Sequence, residues 1–383
     1  MSVGLTLMVR DEADIIRPLI DHYREQGIDH ILVTDNGSLD GTAEILEEYA
    51  RNGAIELLHD PVHRKQQSPV VTAMARQLSE KHAVDWVINT DADEFLLSKN
   101  RALSLADVFA QLPIAIRSFT VPVTNLVGPL AAEGTGIGRL VWRDRRSPEE
   151  LAKVGLKAQP THNAIHVGSP DVTVSQGNHF VSIASEGDVP AGLEMEVLHL
   201  PWRSWAQYRH RVEVSGNAYR SNPDLRPSPN HHGMIDFQRL QDGVLLAYFA
   251  ARHCTAHELE FRDDFESETV LSDMLGSHPG VREDVFFDTV TSDLAQATGR
   301  GLVARDQAIL ETQALLSASE DQERHLREVL AQVSDNMSGL TADLRNSQAQ
   351  YESLQTFTEA MQARRVVRMA DSVGRLLRKN NNG

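Results

Sequence analysis

The chain has 383 residues, of which 41% are hydrophobic and 24% charged, and its formal net charge is −17. This length suits two domains, or one domain with an extension. The one cysteine, Cys254, excludes an internal disulfide, and so acidic a chain does not favour nucleic acid as a partner.

The chain carries no sequence signal for secretion or for crossing a membrane. Its first residues, MSVGLTLMVRDEAD, reach an acidic side chain before any long apolar run, unlike a signal peptide. Its longest apolar run, residues 244–251, is far shorter than the roughly 20 residues that a membrane helix needs. We therefore expect a cytoplasmic protein.

The first hundred residues alternate between short apolar runs and segments with helical spacing. Strands are predicted over residues 4–9, 30–34, 55–58 and 86–90, and helices over residues 12–26, 42–50 and 70–82. This order predicts an α/β fold with a parallel sheet covered by helices. Such sheets bind ligands at the carboxyl ends of their strands.

The middle of the chain, residues 100–255, has a weaker pattern. A strand is predicted over residues 114–127, and helices are predicted over residues 205–219 and 237–251. Loops rich in glycine, proline and histidine separate these segments.

From residue 302 onward the chain is poor in glycine and proline and follows a heptad pattern. We call the following positions, spaced alternately by four and three residues, the heptad stripe: Leu326, Leu330, Val333, Met337, Leu340, Leu344, Ser347, Tyr351, Leu354, Thr358 and Met361. The pattern predicts a coiled coil, and hence a homo-oligomer or a long antiparallel hairpin. The alternative is one amphipathic helix folded onto the body of the protein.

The last residues form a basic segment. Residues 362–383 contain six basic side chains and one acidic side chain, with apolar residues at helical spacing. Such a helix can make peripheral contact with an anionic membrane, here the inner face of the cell membrane, or can simply be a solvated helix end.

The stretch VINTDADEFLL, residues 87–97, carries the strongest chemical signal. Asp91, Asp93 and Glu94 follow the fourth predicted strand, at the edge where a ligand is expected. Neighbouring carboxylates repel unless a cation joins them, and Mg²⁺ or Mn²⁺ binds oxygen ligands together with substrate phosphates. The alternative is a solvated acidic turn that caps the next helix.

Two further loops end at the same predicted edge. MVRDE, residues 8–12, follows the first strand, and DNGSLDGT, residues 35–42, follows the second. Together with DADEF, residues 91–95, and RKQQ, residues 64–67, these motifs resemble a bacterial branch of the family 2 glycosyltransferases with the GT-A fold. The resemblance covers roughly residues 3–225.

The resemblance implies a site for a nucleotide-sugar donor, with a UDP-sugar favoured, and a metal ion, Mn²⁺ or Mg²⁺. It implies that Asp93 and Glu94 are catalytic and that Asp91, Asp93 and His199 bind the metal, with His179 as another candidate. The implied donor-binding residues are Arg10, Glu12, Asp35, Asn36, Gln67, Asp91, Lys157 and Arg203.

The implied reaction is metal-dependent, inverting transfer of the sugar to a hydroxyl acceptor, as in the synthesis of a cell-surface polysaccharide or glycolipid. Asp171, Glu196 and Asp236 are equivalent candidates for the general base. Two alternatives remain, a coiled-coil scaffold whose nucleotide-sugar domain is inactive and a metal-dependent phosphohydrolase.

The corresponding domain organisation has four parts. An α/β GT-A domain is predicted over residues 1–255, with nucleotide bound by about residues 1–100 and acceptor by the remainder. A helical connector follows over residues 256–301, then a coiled coil over residues 302–361 and the basic tail over residues 362–383.

Overall fold

The structure, a computed structural model, describes residues 1–61, 67–221 and 232–379. The chain divides into two compact units, Met1–Asp306 and Gln307–Gly383. Most of the predicted RKQQ motif, residues 64–66, lies outside the described residues.

The first unit contains the following strands: β1 (Val3–Val9), β2 (His30–Asp35), β3 (Glu56–His59), β4 (Trp86–Thr90), β5 (Glu94–Ser98), β6 (Ser118–Val121), β7 (Val123–Val127), β8 (Trp142–Asp144), β9 (Asn163–Val167), β10 (Met195–His199) and β11 (Phe265–Ser267).

The described helices are α1 (Ile16–Glu25), α2 (Thr42–Arg51), α3 (Gln67–His82), α4 (Leu105–Gln111), α5 (Pro148–Ala152), α6 (Trp205–Ser221), α7 (His232–Gln241), α8 (Leu245–Arg252), α9 (Ala256–Phe261), α10 (Val270–Leu275) and α11 (Thr289–Lys379). Short 3₁₀ turns lie at Ile114–Ile116 and Gln176–Asn178.

The main sheet has six strands in the order β3-β2-β1-β4-β9-β6. Strands β3, β2, β1 and β4 are parallel, whereas β9 and β6 are antiparallel to their neighbours. Every residue of β4 is buried, as expected for a central strand covered on both faces. The predicted α/β fold, with a parallel sheet and flanking helices, is confirmed.

A second sheet has five strands in the order β11-β8-β7-β10-β5. Strand β5 follows β4 after a three-residue turn and pairs antiparallel with β10, so that Glu94 lies beside His199. The acidic stretch is therefore followed by a strand of the second sheet and does not cap a helix. This sheet brings the segment around residue 199 next to the carboxyl end of β4.

The structure corrects three predicted elements. The strand predicted over residues 114–127 is interrupted at Pro122, and its two halves, β6 and β7, belong to different sheets. The helix predicted over residues 237–251 is two helices, α7 and α8, separated at Gly243, which has a φ of +73°. Helix α1 begins at Ile16, because the chain first makes a tight turn in which Asp11 has a φ of +56°.

The second unit is helical as far as Lys379, through helix α11. It contains no reversal, so the antiparallel hairpin considered for this segment is wrong. The apolar members of the heptad stripe are between 45 and 69% exposed. Among the described helices, none combines the length and apolar character required to cross a membrane.

Candidate functional site

The carboxyl ends of β1, β2 and β4 meet at one edge of the main sheet. Strand pairing places Val9 beside Asp35 and Leu7 beside Thr90. The three loops that follow these strands contain the three motifs found in the sequence, so the predicted convergence of these loops is confirmed.

The turn between β4 and β5 holds its acidic side chains in a buried environment. Asp93 and Glu94 are only 7 and 6% exposed. The Glu94 carboxylate accepts hydrogen bonds from the Asp91 backbone N–H at 3.1 Å and from Asn163 Nδ2 at 2.7 Å. Asp91 Oδ1 accepts from Gln67 Nε2 at 2.7 Å and from Asn178 Nδ2 at 3.0 Å. The turn is therefore not a solvated surface loop.

Three cationic side chains surround Asp93. His199 Nε2 lies 3.4 Å from Oδ1, while Arg203 Nη1 and Arg211 Nη1 lie 3.4 and 3.7 Å from Oδ2. Burial alone would raise the pKa of Asp93, but these three neighbours hold it well below its usual range. Asp93 is therefore ionised at neutral pH.

Arg203 connects this turn to the loop after β1. Its guanidinium is fully buried, bonds to Glu12, and donates from Nε to Asp14 Oδ2 at 2.8 Å. Burial opposes its charge, but the carboxylates of Asp14, Glu12 and Asp93 raise the pKa of Arg203 above its usual value. Its Nη1 has no hydrogen-bond partner among the described residues, although it lies beside Asp93.

Among the described residues, the cluster has more acidic than basic side chains. Two guanidiniums and one imidazole face five carboxylates, those of Glu12, Asp14, Asp91, Asp93 and Glu94. Burial and neighbouring acids raise the pKa of Glu12 to about 7, and they raise the pKa of Asp91 and of Glu94 as well. An added cation would relieve this repulsion.

His199 has a polar partner on each side of its ring. Nδ1 lies 2.8 Å from Asn125 Oδ1, and Nε2 faces Asp93. Burial acts to lower the pKa of His199, but Asp93, Glu94 and Asp91 raise it above its usual value. A proton on Nδ1 that is donated to Asn125 leaves the Nε2 lone pair directed toward the acidic turn, as metal-binding histidines require.

The donor set fits a divalent cation such as Mn²⁺ in both charge and atom type, because it combines carboxylate oxygens with an imidazole nitrogen. As the side chains now stand, no three His, Cys, Asp or Glu residues in the described ranges are grouped around one metal position. Both arginines lie on the same side of the Asp93 carboxylate, at Oδ2.

The loops after β1 and β2 are tied together by Asp11. Its carboxylate accepts from the Leu39 N–H at 2.7 Å, its own N–H donates to Ser38 Oγ at 3.0 Å, and His210 Nε2 lies 2.9 Å from Oδ2. A positive φ at a residue other than glycine marks a backbone that its surroundings must stabilise. These bonds supply that stabilisation.

Two of the predicted donor-binding residues, Asp35 and Asn36, stand where β2 passes into the second loop. Asp35 is 4% exposed and accepts from the Ser38 N–H at 3.1 Å. Asn36 donates from Nδ2 to the Asp60 carbonyl at 2.9 Å, and its own carbonyl accepts from Arg10 Nη1 at 2.9 Å. The structure thus brings Arg10, Asp35 and Asn36 together.

Among the described residues, neither Lys157 nor His179 forms a hydrogen bond or ion pair with Asp91, Asp93 or Glu94. Lys157 is exposed in the loop after α5, and His179 Nδ1 lies 3.2 Å from the His162 carbonyl oxygen. Donor binding by Lys157 and metal binding by His179 remain predictions.

The three candidates for the general base lie in different surroundings. Glu196 pairs with Arg143 and Arg101, and Asp236 pairs with Arg252 and Arg239. Burial raises the pKa of each carboxyl, yet the arginines hold both values below the usual range, which does not suit a base. Asp171 lies exposed in the loop after β9.

Sequence reasoning missed five residues of the cluster: Asp14, Asn125, Asn163, Asn178 and Arg211. Asp14 had a usable signal, because it extends the acidic run of the first motif. The other four come from the middle of the chain, where no spacing indicates which side chains return to the acidic turn.

Comparisons with known proteins agree with a glycosyltransferase-like first segment. Residues 3–120 match the model of glycosyltransferase family 92. The motifs resemble family 2, and that finer assignment stays a prediction. No curated protein matches the chain.

Several solved structures are similar to the chain at low identity. TarS 1–349 of S. aureus shares 12% identity at a TM-score of 0.33, covering 68% of this chain and 73% of that one. The structure of its complex with UDP-GlcNAc shares 12% identity at a TM-score of 0.34, with the same coverage of both chains. Glucosyl-3-phosphoglycerate synthase from Mycobacterium tuberculosis shares 17% identity at a TM-score of 0.24, in its complex with Mn²⁺, UDP and glucosyl-3-phosphoglycerate. The similarity covers 43% of this chain and 56% of that one.

Proposed function

We propose that the chain is a metal-dependent glycosyltransferase that takes a sugar from a nucleotide diphosphate donor, with UDP as the favoured nucleotide. One observation carries the proposal: a buried acidic turn at the carboxyl edge of a parallel sheet, where crowded carboxyls meet cations directed at Asp93. The match of residues 3–120 to a glycosyltransferase family supports it.

Asp91, Asp93 and His199 would hold the metal ion. When bound, a divalent cation supplies Lewis-acid stabilisation of the charge that develops on a leaving diphosphate. Glu94 acts on the turn itself, since it accepts from the Asp91 N–H and fixes the angle at which that carboxylate is presented.

The two arginines beside Asp93 have different parts. Arg203 is fully buried and bonded to Glu12 and Asp14, which suits it to hold the loops in position. Arg211 is 41% exposed and lies at the same carboxylate, so it can reach a diphosphate oxygen from solvent. We therefore assign the diphosphate contact to Arg211 and a positioning part to Arg203.

The nucleobase would bind between the loops after β1 and β2. Arg10 and Asn36 are joined there by a hydrogen bond, and Asp35 lies at the end of β2. Asp35 presents a carboxylate that can accept from a base N–H, which is the polar contact expected of a pyrimidine edge. The sugar would then extend toward Asp91, at the end of the neighbouring strand β4.

Calorimetric titration of UDP into the protein, with Mn²⁺ and then with EDTA, tests the proposal. We expect binding that needs the metal, and we expect Asp93→Asn to weaken it at least about 100-fold, since a first-sphere carboxylate is lost. Asp263→Asn, which removes an exposed acid, is the matched control and should bind as the wild type does.

Other outcomes would point elsewhere. Unchanged binding by the Asp93→Asn variant, with both variants folded by circular dichroism, would contradict the site. If UDP, GDP and dTDP all fail to bind with metal present, the first unit is not a donor site, and the scaffold becomes the better interpretation. Release of phosphate from a nucleotide without any acceptor would indicate the phosphohydrolase.

A further inference from the structure

The heptad stripe of helix α11 is an apolar surface that the chain leaves exposed. Its apolar side chains, such as Leu330 and Leu340, are 67 and 69% exposed. A surface of regularly spaced leucine, valine and methionine along many turns is costly to leave in water, and heptad spacing is the pattern that packs against another helix. The charges of the same helix indicate which helix that is.

Charge is divided along this helix. Residues 307–343 contain seven acidic and two basic side chains, a net charge of −5, whereas residues 344–379 contain three acidic and seven basic side chains, a net charge of +4. Two such helices side by side in parallel would place like halves together. In the antiparallel direction, each acidic half faces a basic half.

The apolar layers give an independent reason for the same direction. In a parallel pair, each stripe position packs against the same position of the other copy, so that Ser347 meets Ser347 and Thr358 meets Thr358 in the core. An antiparallel pair places unlike positions together. When Leu340 of one copy faces Leu344 of the other, Ser347 faces Met337 and Thr358 faces Leu326.

The same alignment overlaps nearly the whole length of the second unit. It places the basic residues Arg364 and Arg365 of one copy at the same level along the helix axis as the acidic residues Glu320 and Asp321 of the other. In this register Ser347 and Thr358 meet larger core residues, and the basic end of each helix lies alongside the acidic end of the other.

We propose that the partner of the heptad stripe is a second copy of this chain, bound antiparallel with Leu340 of each copy facing Leu344 of the other. The structure supplies a continuous helix with an exposed stripe. The sequence supplies an acidic half and a basic half, and core layers of small and large residues, which are complementary only in the antiparallel direction. This inference is independent of the proposed activity.

Cross-linking of the full chain tests the direction. Single variants Leu326→Cys and Thr358→Cys are prepared separately, mixed after mild unfolding and refolding, and treated with a short bis-maleimide. We expect a cross-linked dimer only in the mixture, because these two positions face each other between copies. In the antiparallel register, position 326 of one copy lies about 48 Å from position 326 of the other, at 1.5 Å per residue.

The wild-type chain, whose one cysteine is buried, is the control for background cross-linking. A cross-linked dimer in the Leu326→Cys sample alone would overturn the proposal in favour of a parallel pair. Light scattering gives the second measurement, with an expected mass twice the 42.5 kDa of one chain. A monomer in solution would also overturn the proposal, whether or not its basic tail binds anionic vesicles.

Exchange of charged residues between the two ends of the helix gives a third test. Arg364→Glu with Arg365→Glu should weaken the dimer, because acidic side chains then lie level with the acidic end of the other copy. Addition of Glu320→Arg and Asp321→Arg in the same chain should restore it, because the two ends again have opposite charges. Ala342→Asp, on the outward face of the helix, is the matched control and should leave the dimer unchanged. Failure of the added substitutions to restore the dimer would contradict the antiparallel direction.

Discussion

Arg203 contacts carboxylates from two loops of the site and is the least exposed cation there. It bonds to Glu12 and Asp14 in the loop after β1 and lies beside Asp93 in the turn after β4. A buried charge of this kind is tolerated only while its partners remain. Arg203 therefore sets the distance between the loops.

We expect Arg203→Met to destabilise the protein by about 3–5 kcal/mol, because the largely buried carboxylates of Glu12 and Asp14 lose their partner. Arg145→Met removes the exposed pair with Glu266 and should change the free energy of unfolding by less than about 1 kcal/mol. Denaturant unfolding followed by circular dichroism compares the two. Equal losses would show that the Arg203 network does not hold the loops.

The residues of the site differ in how far the sequence could predict them. Asp91, Asp93 and Glu94 follow an apolar strand, and the edge rule for parallel sheets locates them from the sequence alone. Asn163 could not be located, because it reaches Glu94 only through the antiparallel pairing of β9 with β4. Long-range pairing of this kind leaves no local pattern in the sequence.

At the scale of elements, the prediction succeeded where burial leaves a clear run of apolar residues in the sequence. Strands β1, β2 and β4 are almost continuously buried, so their apolar runs mark them clearly. Strands β6 and β7 were predicted as one. A run of β-type residues does not show that its halves join different sheets, although Pro122, which cannot donate to a ladder, was the available signal.

Helices α6 and α7 pack closely at a glycine, which gives a test at this scale. A Cβ built on Gly216 would lie 2.0 Å from the ring of Phe237, which is 5% exposed. Gly216→Ala should therefore separate the two helices at a cost of about 1–3 kcal/mol.

The matched change is Gly339→Ala in α11, where a Cβ meets no atom within 4 Å. Alanine should stabilise that exposed helix by up to about 1 kcal/mol, since glycine is a poor helix former. Thermal unfolding of both variants measures the difference. A Gly216→Ala variant as stable as the wild type would show that α6 and α7 can adjust without loss.

At the scale of the whole molecule, buried histidines make stability depend on pH. Burial lowers the pKa of His22 and of His166 from 6.5 to about 4. The unfolded chain binds protons at these rings below pH 6.5, while the folded chain does not until about pH 4. The free energy of unfolding therefore falls as the pH falls through this window.

Between pH 7 and pH 5, each of these rings should lower the free energy of unfolding by about 2 kcal/mol. His22→Gln should reduce the pH dependence, measured by urea unfolding at several pH values. His257→Gln, at an exposed ring, is the control and should leave the pH dependence unchanged. The same dependence in the His22→Gln variant would contradict the contribution of this ring.

Cys254 lies between helices α8 and α9, is 2% exposed, and has a thiol whose pKa burial raises to about 12. A thiol in this state does not react until the surrounding helices move apart and expose it as thiolate. The rate at which a thiol reagent labels the unmodified chain should therefore report how often this region opens. The protein thus carries its own chemical reporter of local unfolding, with no mutation and no attached dye.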